Sequence, residues 1–244
     1  MNARRIMACG GLCLLAWATA AGAAPQPTSR PTYPSTDQYE LRRIEGWTVH
    51  VQKALLADTP DLAREAVRLL EVKLYDITRC VPPKALAELR KIPIWMGVRD
   101  VHGRHPCACY HPSRDWLREN GYNTDMAGAV EISNAATFLN WSHAQPSMVL
   151  HELAHGYHHR VLKHRNEKVR AAFEQAVKAK SYESVLYFSG RTTRHYALNN
   201  DQEYFAELTE AYFGANDFYP FVRVELKQHD PAGYKMIRDT WGVK

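Results

Sequence analysis

The stretch VLHELAHGYHHRVL, residues 149–162, decides how this chain is interpreted. His151 and His155 are four residues apart among apolar residues, so a helix would project both rings from one face. Two histidines at this spacing can bind one zinc ion without bending the helix. Glu152 would flank that ion, where a general base for an attacking water belongs. The HExxH motif therefore predicts a zinc site.

A third protein ligand must lie elsewhere in the chain. The longer motif HExxHxxGxxH does not apply, because its glycine and last histidine positions hold His158 and Val161. We expect His158 and His159 to lie further along the helix, facing solvent or supporting the ligands without binding the ion. Glu174 stands at a suitable separation, but its surroundings, FEQAVKAK, lack the residues that accompany such a ligand.

Glu203 is the better candidate for the third ligand. It lies 48 residues after His155, in NNDQEYFAE, which predicts a helix of its own. Glu207 follows one turn later, and two inward acids beside aromatic residues are costly to bury unless a positive charge lies there. We therefore predict one Zn²⁺ bound by His151, His155 and Glu203. Glu207 would accept the free ring N–H of a ligand histidine. A solvated acidic helix face is the alternative.

HELAH and the later YALNNDQEYFAE together resemble the lethal-factor-like group of gluzincin metallopeptidases, which includes the Pro-Pro endopeptidases. In that group a helix bearing E-[FY]-F-A-E follows HExxH, and its first glutamate is the third zinc ligand, which matches Glu203. The resemblance covers residues 149–213 and implies a zincin-like metallopeptidase. It also implies that Tyr196, seven residues before Glu203, stabilises the transition state. A plain hairpin aromatic is the alternative for Tyr196.

The predicted function is that of a zinc-dependent peptide-bond hydrolase with a peptide or protein substrate. Two alternatives stay open: a zincin-fold protein that holds zinc without catalysis, and a zinc amidase that acts on non-peptide or cell-wall amides. An intact Glu152 favours an enzyme. In zincins an edge strand upstream of the active-site helix pairs with the substrate. We expect Val130, Glu131 and Ile132 to form that strand, unless both of its edges are already paired.

Composition and the N-terminal pattern indicate an exported protein. The chain has 244 residues and a net charge of +5, with scattered Lys and Arg, which argues against a nucleic-acid partner. Arg4 and Arg5 precede an apolar run and AAGAAP, so we predict a signal peptide over residues 1–23, cut after Ala23. The mature protein would be secreted or periplasmic, without membrane contact. A retained membrane anchor is the alternative. Nothing in the sequence indicates an oligomeric state.

The remainder divides into a Pro/Ser/Thr-rich leader over residues 24–38, expected to be solvated and extended, and one zincin-like domain over residues 39–244. Strand patterns come first, at residues 39–52, 92–98 and 129–133. Helical patterns dominate the second half, at residues 146–162, 166–180, 199–214 and 230–241, with a hairpin about Ser189 and Gly190 between the second and third of them. We therefore predict an α+β fold, with a small mixed sheet, an active-site helix and a helical C-terminal half.

Three cysteines lie outside the predicted signal peptide. In an oxidising compartment we expect Cys80 to form a disulfide with Cys107 or Cys109, leaving one thiol free. The loop HGRHPCACYH, residues 102–111, could instead bind a second metal ion. Its CxC pattern with flanking histidines is not a standard zinc-finger spacing.

Overall fold

A computed structural model describes residues 32–163 and 165–243. The signal peptide predicted over residues 1–23 and much of the leader lie outside them. The strands, in chain order, are β1 (Tyr39–Ile44), β2 (Trp47–Gln52), β3 (Ile94–Met96), β4 (Ala108–Tyr110), β5 (Val130–Ile132), β6 (Val185–Leu186) and β7 (Thr192–Thr193). The helices are α1 (Lys53–Asp58), α2 (Pro60–Cys80), α3 (Pro83–Leu89), α4 (Arg114–Glu119), α5 (Ala135–Trp141), α6 (Met148–Tyr157), α7 (Glu167–Ala179), α8 (Asp201–Phe213), α9 (Arg223–His229) and α10 (Pro231–Trp241).

Strands β1 to β5 form one mixed sheet, which confirms the predicted α+β class. Its order is β1-β2-β3-β5-β4. The β1–β2 pair is an antiparallel hairpin, β3 lies parallel to both β2 and β5, and β4 runs antiparallel to β5. Every side chain of β3 and β5 is buried, because helices and loops cover both faces of the sheet there.

The position of β5 contradicts the substrate-binding prediction for Val130, Glu131 and Ile132. β5 is paired with β3 on one side and with β4 on the other, so neither of its edges can accept an added strand. The strand at this edge of the sheet is β4, which forms within the predicted loop. Its sequence, ACY, is too short to show the alternation of apolar and polar residues that predicts a strand.

The fold begins before the predicted boundary at residue 39. Tyr33 is 6% exposed, its ring packs against Tyr122, and its hydroxyl contacts Glu131. The prediction of a solvated leader over residues 24–38 is therefore wrong at Tyr33, whereas Ser35, Asp37 and Gln38 are exposed. Proline and serine content indicated an extended segment, but an extended segment can still bury an aromatic ring where apolar partners are available.

Helix α6, which carries the HExxH motif, lies between β4 and α8. Its apolar side chains are buried in the core, namely Val149, Leu150, Leu153 and Ala154. Gly156 lies on the face that meets the sheet. A Cβ atom at Gly156 would lie 2.5 Å from Cδ1 of Ile92 and 3.1 Å from the ring of Tyr110. The backbone of α6 therefore approaches the sheet closely.

The C-terminal half is helical, as predicted. The helices α7, α8 and α10 occupy the predicted positions, and β6 pairs with β7 in the predicted hairpin. Helix α9 has no counterpart among the predicted helices; Glu225 in its first turn accepts the backbone N–H of Phe221 at 2.8 Å. Across residues 32–163 and 165–243, no helix is long and apolar enough to cross a membrane.

Candidate metal centre

Helix α6 directs the two histidines of the HExxH motif toward α8. The Nε2 atoms of His151 and His155 are 3.0 Å apart. Oε2 of Glu203 lies 3.1 Å from Nε2 of His151 and 3.3 Å from Nε2 of His155. The structure therefore brings the three predicted ligands together at one point. Their side chains are 12%, 16% and 19% exposed, so the cluster is largely shielded from water.

These separations suit a zinc ion. Ligand atoms that lie about 2.0–2.1 Å from a tetrahedral ion lie about 3.3 Å from one another. The observed separations of 3.0, 3.1 and 3.3 Å need only small side-chain adjustments to reach that value. Two histidine nitrogens and one carboxylate oxygen are also a donor set that zinc accepts. Spacing and donor chemistry both fit the ion.

Glu203 is placed by the well-defined start of α8. The side-chain oxygen of Asn200 accepts the backbone N–H groups of Gln202 and Glu203 at 3.0 and 2.8 Å, which caps the helix. Glu203 therefore lies in the first turn, facing α6. Glu174 lies on α7 with its side chain 67% exposed, 3.6 Å from Arg170. It is not part of the cluster.

Glu210, which was not predicted, is the closest carboxylate to the other ring nitrogen of His151. Nδ1 of His151 lies 2.7 Å from Oε1 of Glu210 and 3.6 Å from Oε1 of Glu207. For His151, the prediction that Glu207 accepts the ring N–H is therefore wrong, because 3.6 Å exceeds hydrogen-bond distance. Glu207 instead lies between His151 and His195, whose Nδ1 is 3.7 Å away. Helical spacing alone could have placed Glu210 on this face.

The charges around the ligands favour a cation. Glu207 and Glu210 are each 4% exposed. Burial raises the pKa of both carboxyl groups, and Glu210 raises the pKa of Glu207 further. Burial would lower the pKa of His151, but hydrogen bonds with Glu203 and Glu210 outweigh it and raise that pKa well above its ordinary value. Several carboxyl groups thus converge on one small volume, where a positive charge is stabilised.

Glu152 and Tyr196 line the cleft in front of the ligands. Glu152 is half-buried and follows His151 on α6. Tyr196 begins the 3-10 turn Tyr196–Asn199 and is 47% exposed. Burial raises the pKa of its hydroxyl, and Glu203 raises it further, so the hydroxyl keeps its proton at neutral pH and can donate a hydrogen bond.

The cleft continues beside Glu152 into a second pocket that the sequence did not indicate. Its aromatic walls come from Trp141, Tyr187 and Phe218, which lie far apart in the chain. The guanidinium carbon of Arg191 lies 4.8 Å from the centre of the Tyr187 ring. A pocket with aromatic walls and several charged side chains beside the candidate general base can hold a substrate side chain.

The two remaining histidines of the opening stretch lie on the π-helical turn His158–Leu162 that follows α6. His158 is 1% exposed and its ring lies 5.1 Å from that of Phe205, so of the two expected roles, facing solvent is wrong and supporting the ligands stays a prediction. His159 is half-buried, with Nδ1 2.8 Å from the hydroxyl of Tyr110 on β4. Helix periodicity alone could not reveal this neighbour.

The three cysteines among the described residues are free thiols, so the predicted disulfide between Cys80 and Cys107 or Cys109 is not formed in the structure. Sγ of Cys80 faces a backbone carbonyl of its own helix. Sγ of Cys107 lies 3.3 Å from Sδ of Met148. Sγ of Cys109 lies 3.4 Å from Nε2 of His111. The three thiols face separate surroundings, which their spacing along the chain does not reveal.

Comparisons with models of protein families, with curated proteins and with solved structures found no match for this chain. The functional interpretation therefore rests on the geometry of the metal centre and on the chemistry of its residues.

Proposed function

We propose that this chain is an exported zinc-dependent hydrolase of peptide bonds. The observation that carries the proposal is the convergence of His151, His155 and Glu203, whose ligand atoms lie 3.0–3.3 Å apart, beside Glu152 in an open cleft. Three protein ligands are typical of catalytic zinc, which keeps one position for water or substrate. Structural zinc sites generally use four protein ligands.

Two further side chains of the cleft, Glu152 and Tyr196, would transfer protons and stabilise the charge that develops in the reaction. When bound, zinc would lower the pKa of a water molecule and polarise the substrate carbonyl. Glu152 would take a proton from the attacking water and pass it to the leaving amine. The protonated hydroxyl of Tyr196 would donate a hydrogen bond to the carbonyl oxygen as negative charge develops there.

The edge strand β4 supports an extended peptide as the substrate. Among the described residues, β4 pairs only with β5, which leaves its other edge available. Ala108, Cys109 and Tyr110 line the same cleft as the three ligands. A peptide could add to this edge through main-chain hydrogen bonds, which would hold its scissile bond near Glu152. The role predicted for the strand Val130–Ile132 thus passes to β4.

Cleavage of a mixed peptide library, with and without a chelator, tests the proposal. We expect the zinc-loaded protein to cleave peptides, to lose this activity with chelator and to regain it when zinc is restored. Glu152→Gln should keep its zinc and its fold but lose about 10²–10⁴ in rate, the usual share of general-base catalysis. Glu174→Gln, an exposed change on α7, is the matched control and should cleave like the wild type.

Other outcomes would identify another function. If the zinc-loaded wild type cleaves neither peptides nor cell-wall amides, the protein holds zinc without catalysis. Cleavage of cell-wall amides alone would assign a zinc amidase. Peptide cleavage that survives Glu152→Gln would contradict the role given to Glu152.

A further inference from the structure

A second group of metal-binding side chains lies on and beside β4. The candidate ligand atoms of His105, Cys109 and His111 all lie within 4.8 Å of one another. Sγ of Cys109 is 3.4 Å from Nε2 of His111, and the rings of His105 and His111 are 5.5 Å apart at an angle of 84°. The three residues share no ligand with the HExxH cluster. They belong to the loop whose histidines and cysteines first suggested a second metal.

Burial leaves one nitrogen atom of this group without a hydrogen bond. His111 is 3% exposed, and His105 and Cys109 are half-buried. Nε2 of His105 is inaccessible to water and has no hydrogen-bond partner within residues 32–163 and 165–243. A buried polar nitrogen without a partner is costly, and a metal ion is one group that removes this cost.

The charges near the group favour a cation. Glu131, 2% exposed, places Oε2 2.7 Å from Nε2 of His111. A divalent ion would offset the buried carboxylate and allow the thiol to ionise.

We propose that His105, Cys109 and His111 bind a second divalent metal ion of the class that accepts nitrogen and sulfur ligands, with zinc as the foremost member. In a tetrahedral zinc site a histidine nitrogen and a cysteine sulfur lie about 3.5 Å apart, close to the 3.4 Å between Nε2 of His111 and Sγ of Cys109. Nε2 of His111 would bind the ion in place of its present contact with Oε2 of Glu131, which would remain beside the ion as a negative charge. His105 lies on the loop before β4, and its ligand nitrogen is within 4.8 Å of the other two ligand atoms.

The second ion would fasten the loop before β4 to the edge of the sheet. The carboxylate of Asp100 already accepts the backbone N–H groups of His102, Arg104 and His105 at 2.8 Å each. A bond from His105 to an ion held by β4 would join this turn to the strand. Because His105 and Cys109 line the same cleft as the HExxH ligands, the second ion would support one wall of that cleft.

Cobalt titration of the metal-free full chain tests the proposal without any measurement of activity. Cobalt(II) bound to a thiolate absorbs in the near ultraviolet, whereas cobalt bound only by nitrogen and oxygen does not show that band. We expect the wild type to bind two equivalents and to develop the band. His151→Ala should bind one equivalent and keep the band, so failure of the HExxH site is distinguishable from failure of this one.

Variants at the thiols identify the ligand. Cys109→Ser should lose the band and one equivalent of cobalt. Cys107→Ser, whose thiol faces Met148, is the matched control and should keep both. His105→Ala changes a loop residue and should lower the affinity of this site for cobalt at least tenfold, as followed by the thiolate band. It provides a second test if Cys109→Ser does not fold. A wild type that shows no thiolate band, or a band that survives in folded Cys109→Ser, would overturn the proposal.

Discussion

Nδ1 of His151 and Oε1 of Glu210 lie 2.7 Å apart, so a buried carboxylate on α8 holds the ring of a candidate ligand on α6. This contact fixes which ring nitrogen points at the cluster, because the nitrogen engaged with Glu210 cannot also bind the ion. The contact joins α6 to α8 on the side of His151 away from the cluster, and the contact between Nε2 of His151 and Glu203 joins the same two helices at the cluster. The orientation of His151 is thereby determined before any metal binds.

Loss of Glu210 should therefore weaken zinc binding more than loss of Glu207. We expect Glu210→Ala to reduce zinc affinity by about 10–100-fold, the usual effect of removing the carboxylate that orients a ligand histidine. Glu207→Ala is the matched control at the same burial and should have a smaller effect, since its carboxylate lies 3.6 Å from Nδ1. Competition with a chromophoric chelator measures both. A larger loss at Glu207 would contradict the assignment.

The third ligand can be identified by zinc content. Glu203→Ala should lose the ion from the HExxH site, because two histidines alone hold zinc weakly. Glu174→Ala should keep it, since that side chain is 67% exposed on α7. Elemental analysis after dialysis gives the content of each variant, and circular dichroism checks the fold. The assignment of Glu203 fails if Glu174→Ala empties the site and Glu203→Ala does not.

Tyr196→Phe should separate binding from catalysis. The change removes the hydroxyl but keeps the ring, so we expect full zinc content and a fall in kcat of about 10²–10³ if Tyr196 donates to the developing oxyanion. Tyr187→Phe removes a hydroxyl from the same cleft, away from the ligands, and should change kcat little. A fall confined to KM in Tyr196→Phe would make Tyr196 a substrate-binding residue only.

Acid should destabilise the fold through His195. Its ring is fully buried, Nδ1 accepts the backbone N–H of Ala197 at 3.0 Å, and burial lowers its pKa from 6.5 to about 3. Because the unfolded chain takes up this proton near pH 6.5, the contribution to stability is full above pH 6.5 and is lost as pH falls toward about 3.

His195→Asn keeps an acceptor for Ala197 but cannot titrate in this range. In the presence of chelator, its urea midpoint should depend less on pH than that of the wild type between pH 6.5 and about 4. The exposed His143→Asn is the control and should keep the wild-type dependence. An unchanged slope in His195→Asn would show that other groups govern the acid response.

The predicted export can be checked on native protein. We expect the mature chain to begin at Ala24, because Ala21 and Ala23 have the small-residue spacing that a signal peptidase recognises. Intact-mass measurement of protein from the periplasm or medium gives the N-terminus directly. A full-length chain retained in the membrane would support the anchor instead.

The parts of the structure that follow from local periodicity could be predicted. The i, i+4 spacing on α6 needs only helix geometry, so the pairing of His151 with His155 was accessible from the sequence. Glu203 was predicted from the second acid one turn later and from the family resemblance. The α+β class followed from the order of the strand and helix patterns. The first strand pair and the hairpin at β6 and β7 followed from turn residues between apolar runs.

The parts of the structure that depend on contacts between distant residues could not be predicted from the sequence. Whether the strand Val130–Ile132 lies inside the sheet or at its edge depends on β4, which has too few residues for a pattern. The burial of Tyr33 depends on Tyr122 and Glu131, which are distant in the chain. The choice between Glu207 and Glu210 depends on how α8 rotates against α6, a matter of about 1 Å that spacing cannot resolve.

The close contact at Gly156 determines how near the backbone of α6 lies to the sheet, and therefore where the ligands on α6 lie in the cleft. With only a hydrogen at this position, α6 lies directly against the side chains of Ile92 and Tyr110, which would have to shift to admit a Cβ atom. A methyl group at residue 156 would push the C-terminal end of α6 away from Ile92 and Tyr110. His151 and His155 belong to α6, whereas Glu203 belongs to α8. A methyl group at residue 156 would therefore separate the two histidines from Glu203 without contacting any of the three ligands.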